Sequence, residues 1–130
     1  MGILEAAKPA IVICTRDRVS ATAFYRDTLG LTLAYEDNFA AVFNIGGVTS
    51  GVTLRVSVVA DFTPHEHTIL GFHVPDVAAT VGALREKGVA FNRYPRLTQD
   101  EQGIWTAPGG TTKVAWMKDA DGNVLSVTNA

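Results

Sequence analysis

The sequence predicts one α+β domain over residues 1–130, built from two βαβββ modules that span about 9–60 and 68–130. Three observations predict it. The first is an internal repeat: Ile11-Val12-Ile13-Cys14-Thr15 leads into Asp17 and a helical stretch, and Leu70-Gly71-Phe72-His73-Val74 leads into Asp76 and another, an offset of 59 residues. The second is the set of alternating apolar and polar segments that follows each helix. The third is Asp119-Ala120-Asp121-Gly122-Asn123, a tight turn in which Gly supplies positive φ while Asp and Asn side chains bond the local backbone.

Each element has its own signal. Asp17 and Asp76 are helix N-caps, because a carboxylate accepts from the free amides of a first turn. The helices run over Val19 to Leu29 and Val77 to Lys87, the second with Val77, Val81 and Leu84 as one apolar stripe and Gly88 as its C-cap. Strands follow at Leu31 to Glu36, Phe39 to Ile45 and Val52 to Val59, then at Val89 to Arg93, Lys113 to Lys118 and Val124 to Thr128. Asp61 to Thr68, with Pro64, links the modules. The long polar loop from Pro95 to Gly110 carries a short strand signal at Ile104-Trp105-Thr106, and loops of that length serve as binding loops or as plain surface excursions.

Composition removes several functions. Charge is nearly balanced at −2, so there is no electrostatic footprint for nucleic acid or for a membrane surface. No apolar run approaches the roughly 18 residues of a membrane span, and no charged-then-apolar leader opens the chain. Cys14 is the single cysteine, which excludes an internal disulfide and suits a reducing compartment. A cytoplasmic protein is expected.

Three sequence words give the repeat a family likeness: Phe24-Tyr25-Arg26-Asp27-Thr28-Leu29-Gly30-Leu31, Val74-Pro75-Asp76-Val77, and the closing hairpin Asp119 to Val127. Their order and spacing resemble the vicinal oxygen chelate superfamily, which includes glyoxalases, bleomycin-resistance proteins and extradiol dioxygenases. The resemblance implies an eight-stranded curled mixed sheet that forms a cleft, and a homodimer. In metal-dependent members the hairpin reads D-P-D-G-N-x-L-E-L and its Glu holds the metal. Here Ser126 stands in its place. The four ligand places carry over to Ala10, Arg55, Ile69 and Ser126, none of them a normal ligand, and an Arg there opposes a divalent cation. Neither a metal nor another cofactor is expected.

Strand alternation selects the residues that face the implied cleft. Leu70, Phe72 and Val74 pack on the second helix, which turns Ile69, Gly71 and His73 to the other face; Ala10, Val12 and Cys14 are the equivalents in the first module. Arg55 and Ser126 are matching residues of the two last strands. His73 offers a hydrogen bond or a proton near neutral pH, or simply satisfies a neighbour. Cys14, its counterpart 59 residues earlier, is more simply a packed small side chain than a nucleophile. His65 and His67 share strand spacing, but His67 lies two residues, ~6.6 Å, before the ligand place. Arg55 on an inward face either meets a carboxylate, Glu36 or Asp37, or awaits an anion. Trp105, Trp116 and Tyr94 offer flat faces to a planar molecule, although core packing would equally account for Trp116.

The candidate ligand-binding residues are therefore Cys14, Arg55, His73, Trp105, Trp116 and Ser126, with His73 the weak catalytic candidate. The expected function is metal-independent binding of a small organic molecule, aromatic or anionic. The alternatives are a metal-dependent lyase or dioxygenase of the same superfamily, or a metal-free lyase or isomerase with His73 as base and Arg55 as oxyanion partner.

Overall fold

The computed structural model describes residues 2–130, and these fall into two compact units, one ending at Phe62 and the other beginning at Thr63. In the first unit the order is β1 (Ala10–Thr15), α1 (Arg18–Ala23), a π-helical turn (Phe24–Thr28), β2 (Thr32–Glu36), β3 (Ala40–Ile45) and β4 (Val52–Val58). In the second it is β5 (Thr68–His73), α2 (Val77–Glu86), β6 (Trp105–Thr106), β7 (Lys113–Lys118) and β8 (Val124–Thr128). Each unit holds one four-stranded mixed sheet, ordered β1-β4-β3-β2 and β5-β8-β7-β6. The first and last strands of each module run parallel at the sheet's centre and rim, and the remaining pairs are antiparallel.

The caps form as the sequence dictates. Asp17 accepts from the Val19 amide at 3.1 Å and from the Ser20 hydroxyl at 2.7 Å, and Asp76 accepts from the Ala79 amide at 3.0 Å. Gly88, at φ +94°, turns the chain out of α2. The first helix is regular only as far as Ala23. Beyond it the turn widens, with the Leu29 amide bonding the Phe24 carbonyl at 2.9 Å, until Gly30 at φ +80° ends it.

One face of each sheet is closed by its helix. Ile13, Leu54, Val56 and Phe43 sit against Ala21 and Tyr25, all at most 2% exposed, and the Tyr25 and Phe43 rings meet at 5.8 Å. Leu125, Val127, Ala115 and Met117 sit likewise against Val77 and Val81. Burial of each large side chain of this kind stabilises the fold by about 1.5–3 kcal/mol. The alternation along β1 and β5 is thus the one the sequence implies, whereas β8 is buried on both faces from Val124 to Val127.

The segment Val89 to Arg93 is not a strand. Among its residues only Phe91 bridges to the sheet, at Met117. The reason is a side chain: Gln99 donates to the Asn92 and Gly103 carbonyls at 2.9 Å and accepts from the Tyr94 amide at 2.7 Å. Backbone groups that would continue a ladder are used there, and Trp105–Thr106 becomes the fourth strand. The closing turn is built as expected, since the Asp119 carboxylate accepts from the Asp121 and Asn123 amides at 2.9 Å and Gly122 has φ +94°.

Candidate functional site

In the second unit the sheet face away from α2 gathers most of the candidate residues. Register places Gly71, Ser126 and Trp116 side by side across β5, β8 and β7. The next row is His73, Thr128 and Val114, and Val114 pairs with Trp105. The two indoles meet with centroids 6.2 Å apart at 38°, and the Tyr94 ring stands edge-on to Trp116 at 5.4 Å and 90°. Asn92 Nδ2 donates to the Tyr94 hydroxyl at 3.0 Å and fixes that ring. Trp105, Trp116 and Tyr94 are each partly exposed, so Trp116 belongs to this open face and not to the core under α2.

The floor of that face is Ser126, which is 6% exposed. Among the described residues its hydroxyl makes no hydrogen bond, and the oxygen is not sealed from solvent. Gly71 beside it has no side chain to cover it, and His73 lies exposed at the rim. The arrangement offers an aromatic wall, one hydroxyl donor at its base and one imidazole at its edge.

The first unit has the same layout with different chemistry. Val12, Arg55, Val42 and Tyr35 form one row on the face away from α1, and Cys14, Ser57 and Ala40 form the next. Neither carboxylate considered for Arg55 is its partner. Glu36 lies on the helix side and is taken by Arg18 and by the Thr22 hydroxyl. Asp37 accepts from the Phe39 and Ala40 amides at 2.8 and 3.0 Å, which hold its carboxyl below the usual range, with a smaller contribution from the Arg55 charge. Among the described residues Arg55 has no hydrogen bond or ion pair. Cys14 and His73 occupy equivalent register positions in separate units, beside Ser57 and Thr128.

The donor set does not fit a divalent metal. Ala10 is exposed, Arg55 is a permanent cation, Ile69 lies at an irregularity in the β5–β8 register, and Ser126 offers a neutral hydroxyl. His65 and His67 do stack, with centroids 4.8 Å apart. Among the described residues, however, no three His, Cys, Asp or Glu side chains converge to hold an ion. No described helix is long and apolar enough to cross a membrane.

Sequence reasoning missed one part of the second unit. An open pocket of about 610 Å³ adjoins the aromatic wall through Tyr94, with His65, Glu66, Arg93, Lys118 and Val124 among its lining residues. The available signal was alternation, because Lys118 follows Trp116 by two residues and shares its face.

This fold has many solved counterparts. The chain superposes on the crystal structure of UcmS2 with a TM-score of 0.73 at 20% identity, covering 97% of this chain and 99% of that one. A superfamily member from Sphaerobacter thermophilus gives 0.71 at 18% identity, with coverage of 97% and 98%. A lactoylglutathione lyase from Agrobacterium tumefaciens gives 0.69 at 16%, with coverage of 95% and 92%. At such identities the likeness shows the fold alone. No protein of curated function matches the chain. The profile of the Glyoxalase/Bleomycin resistance protein/Dioxygenase superfamily matches residues 9–127, and with the repeated βαβββ architecture this establishes that the chain belongs to that superfamily.

Proposed function

We propose that this protein is a metal-independent member of its superfamily that binds a small, flat organic molecule. The observation that carries the reading is the aromatic wall of Trp105, Trp116 and Tyr94 standing beside the Ser126 hydroxyl on the helix-free face of the second unit. Three rings held partly exposed on one sheet face leave apolar surface that a planar ligand would cover. The hydroxyl supplies orientation, and His73 a second polar contact at the rim. The four ligand places, Ala10, Arg55, Ile69 and Ser126, carry no carboxylate, imidazole or thiolate, which supports a reading without a metal. A homodimer belongs to the same reading.

The test uses the chain's two tryptophans, which both lie in this wall. With the protein labelled with ¹⁵N, both indole N–H resonances should shift in a saturable titration with bicyclic aromatic compounds. A library of such compounds that leaves both resonances unmoved at millimolar concentration would defeat the reading.

A further inference from the structure

We propose that the aromatic face of the second unit continues into an anion-binding subsite centred on Lys118, so that its ligand is an aromatic acid. This rests on the reading of that face as a small-molecule site and adds where the ligand's charge is recognised. Trp116 and Lys118 are two residues apart on β7, and register pairs them with Ser126 and Val124 in neighbouring rows of one face. Their side chains therefore leave the sheet on the same side, with origins ~6.8 Å apart. Tyr94 joins the two places, touching Trp116 edge-on and lining the Lys118 pocket.

The charges in that pocket favour an anion. Two cations, Lys118 and Arg93, line it against one acid, Glu66, although the chain as a whole is at −2. Arg93 is oriented by the Asp100 and Glu101 carbonyls, at 2.5 and 2.6 Å, so it contributes field more than a free donor. Lys118 is different. Among the described residues its ammonium has no hydrogen bond and no ion pair, with Glu66 included. The carboxylate beside it in sequence, Asp119, is occupied by the Asp121 and Asn123 amides and by Asn123 Nδ2. An ammonium at the end of an aromatic wall, with no internal partner, is arranged to meet a carboxylate or phosphate one strand step from a stacked ring.

The experiment titrates the full chain with 2-naphthoate, 2-naphthyl phosphate and the neutral 2-naphthamide, followed at the two indole N–H resonances. Either anion should bind about three- to tenfold tighter than the amide, a modest factor because Lys118 is exposed, and the difference should shrink as salt rises. The stronger of the two anions identifies the headgroup. Lys118→Gln should erase the anion preference while leaving amide affinity and melting temperature unchanged. Equal affinities in the unaltered protein would overturn the subsite and leave the small-molecule reading standing. So would an anion preference that survives Lys118→Gln and disappears in Arg55→Met. Indole resonances that respond to none of the three compounds would remove both.

Discussion

A Cβ placed on Gly71 would lie 2.9 Å from the hydroxyl oxygen of Ser126. Gly71 does not lie in the left-handed region, so its backbone conformation is open to any residue and the lack of a side chain serves space alone. The residue that replaces the family's Glu thus keeps its hydroxyl uncovered only because its neighbour is glycine.

Gly71→Ala should therefore disturb the site and spare the fold. Stability is expected to change by less than about 1 kcal/mol, since the lost flexibility of the unfolded chain offsets the tight contact. Affinity for a bound aromatic compound should fall about three- to tenfold as the Ser126 contact is displaced. Adding Ser126→Gly to Gly71→Ala should restore room without restoring the hydrogen bond. Thermal melts beside the indole titration check this, and unchanged affinity in Gly71→Ala would remove Ser126 from the site.

Replacing Arg55 with Met tests whether that cation supports the fold of the first unit. Because Arg18 takes Glu36 and two amides take Asp37, no carboxylate is stranded by the change, and stability should stay within about 0.5 kcal/mol. A lowered melting temperature would give Arg55 a structural role.

The protein should purify without stoichiometric divalent metal. Elemental analysis after gentle, chelator-free preparation is the measurement. About one zinc, iron, nickel or manganese ion per chain would contradict the donor chemistry of Ala10, Arg55, Ile69 and Ser126.

Light scattering should report a dimer. Val12 and Tyr35 are 61% and 54% exposed in the row that holds Arg55, and β1 and β2 are the edge strands of that sheet, both features that association would cover. A monomer mass persisting at high concentration would exclude it.

Acid should expose the caps. Hydrogen bonds from Ser20, then the Val19 amide, hold the Asp17 carboxyl below its ordinary value of 3.8, and those from the Phe39 and Ala40 amides do the same for Asp37. A carboxyl whose folded value is depressed adds stability that is complete above the unfolded value. That stability is lost as pH falls through the folded value. Urea midpoints should then be flat from about pH 7 to 5 and decline below about 4, with Asp17→Asn and Asp37→Asn each showing a shallower decline. Identical slopes in the variants and the unaltered chain would argue against both contributions.

The sequence by itself determined what depends on nearest neighbours and on period. Asp17 and Asp76 cap their helices because a carboxylate two or three residues from free amides needs nothing further. Asp119 closes its turn for the same reason, and a period of two assigns Ser126 and Trp116 to one face and Leu125 and Met117 to the other. Tertiary structure decided what depends on partners far along the chain. Gln99 reaches back to Asn92 and Tyr94 and keeps that segment out of the sheet, which lets Trp105 pair with Val114 and stand beside Trp116. Arg18, from the helix, claims Glu36 and leaves Arg55 without it. Neither choice is written in local spacing, because each is a competition among groups of equal chemistry that only long-range register brings within hydrogen-bond reach.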